Sequence, residues 1–141
     1  MPKPDFTGTW RFNSAQSVLQ INAPDATEFI IEHHEPALRI TRTHIVDDKR
    51  DTFSIGLTTD GREVTIERDG LQLRCRAYWE DDALVFDSKL VRGDEVGTNI
   101  VRYTLSDDGE IFRAEEKFRS SALNYDNFWL FNRDTAGAIC I

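Results

Sequence analysis

Along most of the chain, apolar and polar residues alternate with a period of two, and a charged or glycine-bearing turn interrupts the alternation roughly every ten residues. The pattern predicts strands over Thr7–Asn13, Thr27–His34, Ala37–Val46, Asp51–Thr58, Arg62–Glu67, Leu71–Trp79, Ala83–Val91, Glu95–Ser106, Glu110–Arg119 and Tyr125–Arg133. Pro36 ends the second strand by removing a ladder donor. The connector NSAQSVLQINAPDA has room for one helical turn, with Asn13 or Ser14 as its cap.

In the turns TDG, RDG and DDG a glycine follows an aspartate, the chemistry of tight hairpins that need positive φ. Loops this short join antiparallel neighbours. A flat meander of about ten strands would leave two long edges, and closure removes them. The expected fold is therefore all-β: an antiparallel up-and-down meander barrel of 8–10 strands. No linker or second composition block interrupts it, so residues 1–141 read as one domain with a short tail over 134–141.

Alternation also sorts the side chains. Successive residues of a strand point to opposite faces, and the apolar face of a barrel looks inward. That face carries Phe6, Gly8, Trp10 and Phe12 in the first strand, and Leu38, Ile40, Arg42 and His44 in the third. Tyr103 and Glu116 share the inward parity of their own strands. The interior becomes a mixed pocket: apolar walls with a few convergent polar groups, as small-molecule sites have. The expected ligand-binding residues are Arg42, His44, Phe53, Ile55, Leu73, Cys75, Trp79, Phe86, Tyr103, Glu116 and Phe118. A lone buried charge is costly, so Arg42 needs either an ion pair with Glu116 or a ligand carboxylate, which its planar fork suits.

The opening FTGTWR resembles the first strand of the calycin barrels, namely lipocalins, fatty-acid-binding proteins and avidins. Those begin with Gly-x-Trp where this chain has Gly8-Thr9-Trp10. The resemblance implies that Trp10 closes one end of the barrel and that a basic side chain from the last strand, here Arg133, stacks on it. Phe6-Thr7-Gly8-Thr9-Trp10 followed by Asn-Ser is most similar to uncharacterised bacterial lipocalin-like proteins. The ten-strand count favours the fatty-acid-binding-protein barrel, whereas the short connector favours the lipocalin or avidin side, and the tail is too short for the helix that lipocalins place after the barrel.

Composition narrows the function. The 141 residues carry a formal net charge of −8, with basic residues scattered singly among acids. That argues against a nucleic-acid binder, which needs a clustered basic surface, and equally against docking on anionic lipid. No apolar run is long enough to span a bilayer, so no membrane insertion is expected. The opening MPKPDF lacks a signal's apolar stretch, so the chain reads as cytoplasmic, or as secreted if a leader has been removed. Cys75 and Cys140 have neither metal-ligand spacing nor disulfide density and read as reduced thiols.

His33 and His34 point to opposite faces of one strand, and a pairing of His34 with His44 finds no third ligand, so no metal and no cofactor is expected. Phosphate-loop, nucleophile-elbow and zinc-protease motifs are absent. Three readings stay open. The favoured one binds a small, mostly apolar or amphipathic ligand such as a fatty-acid-like carboxylate. The second is an isomerase-, cyclase- or hydratase-type enzyme using His44 or Glu116 as acid or base. The third is a filled barrel with a structural or interaction role. The last strand is apolar on both faces, through Phe128 and Leu130 on one and Trp129 and Phe131 on the other, which leaves the chain open to homodimer formation.

Overall fold

Short acidic turns fold the chain into hairpins. Asp47 and Asp48 both take positive φ, as do Asp69 and Gly70, and each pair makes a two-residue connection whose twist matches its flanking strands. A computed structural model describes residues 3–134, with ten strands. They are β1 (Gly8–Phe12), β2 (Ala26–His34), β3 (Ala37–Val46), β4 (Lys49–Thr58), β5 (Val64–Arg68), β6 (Leu71–Glu80), β7 (Ala83–Arg92), β8 (Glu95–Leu105), β9 (Ile111–Ser120) and β10 (Asn124–Arg133). Every strand read from the alternation is present, with ends that move by one or two residues.

All strands lie in one antiparallel sheet, in the order β4-β3-β2-β1-β10-β9-β8-β7-β6-β5. The chain ends meet where β1 pairs with β10, Trp10 opposite Arg133 and Phe12 opposite Phe131. The sheet is a nearly closed barrel. Its remaining seam lies between β4 and β5, which share no ladder. Side chains and a single bridge cross it instead: Arg68 reaches Asp51 and the Thr52 carbonyl at one end, and Asp60 bridges Tyr78 at the other.

The connector makes one 3₁₀ turn, Ser14–Gln16, capped by the Asn13 side chain, which accepts from the Gln16 amide at 3.2 Å. Val18 then bridges Phe128, and the Gln20 amide donates to Asn127 Oδ1 at 2.7 Å. The connector thus continues along the edge of β10 past the end of β1. Leu130, on the outer face of the apolar last strand, is 8 % exposed, and the 3₁₀ turn packs against that strand. The tail reading over 134–141 lies outside the described residues from 135 onward, as does Cys140.

One end of the barrel is filled. Phe6 and Trp10 are buried with Phe112 at 5.8 and 5.4 Å between ring centroids, and the Trp10 Nε1–H donates to the Phe6 carbonyl at 3.0 Å. The Arg133 guanidinium covers the Trp10 ring at 4.3 Å. Trp10 is therefore the floor of the barrel, and the chain segment before β1 seals it from outside. Aromatic side chains bury the largest area per residue, which is how so few positions fill this end.

Candidate functional site

The other half of the barrel is hollow. A cavity of about 200 Å³ lies above the aromatic floor. Its apolar wall comes from Phe29, Ile40, Phe53, Ile55, Leu73, Leu90, Val101 and Phe131, among others. Period-two alternation on β2, β3, β4, β6, β7, β8, β9 and β10 places these side chains inward, while their neighbours in sequence point to the outer face.

Of the residues expected to bind a ligand, Arg42, His44, Phe53, Ile55, Leu73, Cys75, Phe86, Tyr103 and Glu116 line the cavity. Trp79 and Phe118 do not, and these two expectations are corrected by the geometry. Trp79 points inward at the filled end, where its ring stacks on Phe6 at 6.2 Å and its Nε1–H donates to Glu35 at 3.0 Å. Phe118 lies beyond the cavity toward the open end, parallel to Tyr125 at 4.9 Å. Parity tells which way a side chain points; it says nothing of its height along the barrel.

Arg42 does not pair with Glu116. Its Nη2 reaches Asp51 at 3.5 Å, while Asp51 is held more closely by Arg68. Arg42 and Arg68 lie 5.5 and 5.4 Å from the Phe53 ring centroid. Arg42 Nε is buried without a hydrogen-bond partner. Burial pulls the guanidinium below its ordinary pKa, and Asp51 offsets part of that. Arg42 is therefore a half-buried cation with a weak counterion.

Glu116 is satisfied by neutral donors instead. Asn127 Nδ2 and Trp129 Nε1 donate to one carboxylate oxygen and Asn99 Nδ2 to the other, each at 2.9 Å. Three such bonds make the carboxylate a structural centre joining β8, β9 and β10. His44 is pinned through Nδ1 to Thr27 Oγ1 at 2.7 Å, and its ring stacks on Trp129 at 6.1 Å. Burial first, and Arg42 second, lower its pKa to about 4, so the imidazole is neutral at pH 7. Burial raises the Tyr103 phenol and the Cys75 thiol, which keeps both protonated. Cys75 accepts from the Ser88 hydroxyl at 3.4 Å and has no base beside it among the described residues.

Besides the apolar wall residues Phe29, Ile40, Leu90, Val101, Ala114 and Phe131, the residues that sequence reasoning missed are Thr27, Ser88, Asn99, Asn127 and Trp129. Each of these last five has inward parity, and none stands out until a neighbouring strand supplies its partner. His34, considered with His44, is exposed on the outer face, whereas the buried His33 faces the filled end and bonds Glu35 at 2.9 Å.

No family model matches the chain, and no curated sequence does. Solved structures share its fold. Human cRBP IV aligns over 93 % of this chain and 99 % of its own, at 14 % identity and a TM-score of 0.59. Secretory abundant heat soluble protein 4 from Ramazzottius varieornatus aligns over 92 % and 94 %, at 14 % identity and 0.56. A mutant of the fluorescent protein UnaG aligns over 92 % and 96 %, again at 14 % identity and 0.56. The fold they share with this chain is a lipocalin- or fatty-acid-binding-protein-like β-barrel. Among the described residues no helix is long and apolar enough to cross a membrane.

Proposed function

We propose that this barrel binds a small, mostly apolar molecule bearing one carboxylate, with Arg42 receiving the carboxylate and the Tyr103 hydroxyl close by. The observation that carries the reading is the state of Arg42. It lines an apolar-walled cavity, its Nε is unpartnered, and its counterion Asp51 is shared with Arg68. A half-buried cation left in this condition gains from an anion arriving in the cavity, because charge-assisted hydrogen bonds are stronger than neutral ones. Isoleucine, leucine and phenylalanine walls then take the apolar remainder.

Volume limits the ligand. About 200 Å³, at ~30 Å³ for one liquid water, is the space of roughly seven waters. The ligand is therefore a small monocarboxylic acid rather than a long-chain fatty acid. An acid–base enzyme is the weaker reading here: His44 is hydrogen-bonded through Nδ1, and Glu116 already accepts three bonds.

The test is calorimetric titration with a panel of straight-chain and aromatic monocarboxylates of this size, repeated in Arg42→Met. Quenching of tryptophan fluorescence gives a second readout, since Trp129 lines the cavity. Saturable one-to-one binding that weakens at least about tenfold in Arg42→Met supports the reading. A panel that fails to bind, or that binds the variant equally well, overturns it.

A further inference from the structure

The cavity makes a second chemical demand, opposite in sign to that of Arg42. Among the described residues, the buried side-chain polar atoms without a hydrogen-bond partner are Arg42 Nε and Asn99 Oδ1, and both residues line the same cavity. One is a donor and the other an acceptor. The orientation of the Asn99 amide is set by its neighbour: Nδ2 donates to Glu116 at 2.9 Å, and the flipped amide would press two acceptors together. So Asn99 keeps an acceptor with nothing to accept from.

The two atoms belong to opposite walls. Arg42 is on β3 and Asn99 on β8, and these strands stand five places apart in the ten-strand order. Beside Asn99 on the same wall is the Glu116 carboxylate, which uses three of about four acceptor sites. One side of the cavity thus offers a cation with a free N–H, and the other offers acceptors and a negative charge. A plain fatty acid answers only the first side and leaves the second desolvated, at the cost of an unmade hydrogen bond.

We infer that the ligand carries a hydrogen-bond donor, a hydroxyl or an ammonium, at the end away from its carboxylate, and that Asn99 Oδ1 receives it. This rests on the reading of Arg42 as the anion site and adds the chemistry of the ligand's other end. Asn99 has inward parity on β8 and is diagonal to Glu116 across the β8–β9 ladder, since Val101 faces Glu116 and Asn99 faces Phe118. The amide oxygen lies within the wall, out of contact with water, so a donor reaches it through a small shift of the Asn99 side chain that keeps Nδ2 on Glu116. A second carboxylate at this end would meet Glu116 and be repelled.

Four ligands of one chain length separate the possibilities by calorimetry on the unaltered protein: octanoate, 8-hydroxyoctanoate, 8-aminooctanoate and octanedioate. In a merely apolar pocket the added polar group weakens binding, because it is buried without a partner. The inference requires the reverse: the hydroxy and amino acids bind at least about tenfold tighter than octanoate, and octanedioate binds weakest. In Asn99→Leu the order inverts and octanoate becomes the best of the four; the comparison is made within one variant, so a general loss of stability does not imitate it. Octanoate equal to or tighter than the hydroxy and amino acids in the unaltered protein overturns the inference while leaving Arg42 as the anion site. Failure of all four to bind removes both. Persistence of the donor preference in Asn99→Leu overturns the role of Asn99.

Discussion

Arg133 lies over Trp10, its guanidinium carbon 4.3 Å from the ring centroid, and the two residues are register partners where the first and last strands meet. The same guanidinium donates to the Thr7 and Gly109 carbonyls, both at 3.0 Å. One side chain therefore ties the chain ends, a turn and the barrel floor together. It also explains the glycine two residues before the tryptophan. Gly8 has φ of 150°, and a Cβ there would collide with Arg133 Nη1.

Gly8→Ala should accordingly destabilise the protein by about 2 kcal/mol, through backbone strain and displacement of Arg133. Urea unfolding of Gly8→Ala, Arg133→Met and the double variant checks it. The two losses should be strongly sub-additive, because the second change finds its contact already broken. Additive losses would mean that Gly8 and Arg133 act separately.

Arg42→Met should leave the ligand-free barrel as stable as before, or raise its stability by about 1 kcal/mol, while removing carboxylate binding. A half-buried guanidinium with an unpartnered Nε and a shared counterion adds little to folding, and Asp51 keeps Arg68. Thermal unfolding without ligand, set beside calorimetric titration, measures both halves. A large stability loss would show that the Arg42–Asp51 contact is structural.

Glu116 should behave oppositely. Glu116→Leu strands the amide and indole donors of Asn99, Asn127 and Trp129 inside the barrel, and should cost about 3 kcal/mol or more. Glu116→Gln should cost about 1–2 kcal/mol, since its oxygen still accepts from Asn127 and Trp129 and a flip of Asn99 restores the third bond. Equal losses in the two variants would contradict the network.

The pH dependence of stability should carry the mark of His44. Its pKa falls from the ordinary 6.5 to about 4 on folding. Between those values the unfolded chain binds the proton and the folded chain does not, so stability rises with pH across this window. The contribution is complete above pH 6.5 and lost as the pH falls toward 4, amounting to at most about 3 kcal/mol. Urea midpoints measured from pH 4 to 7 should show this slope, and His44→Gln should flatten it. The acids Asp5 and Glu35 are held below their usual range, so their contributions are lost as the pH falls through that range. For Glu35 the loss begins near 4.5 and adds to the slope at the acid end of the window, which His44→Gln leaves in place.

The strands, their antiparallel order and the inward parity of Arg42, His44, Tyr103 and Glu116 were legible in the chain alone, because alternation and turn chemistry are properties of consecutive residues. So was the pairing of Trp10 with Arg133, carried by the resemblance of FTGTWR. The height of each side chain in the barrel was not legible. It depends on how the strands are staggered, and that stagger sends Trp79 to the filled end, Phe118 toward the open end and leaves the hollow between them. Nor could the chain say who partners whom across strands. Asp51 rather than Glu116 meets Arg42, and Asn99, Asn127 and Trp129 converge on Glu116, because closing the sheet brings together residues that no local pattern relates.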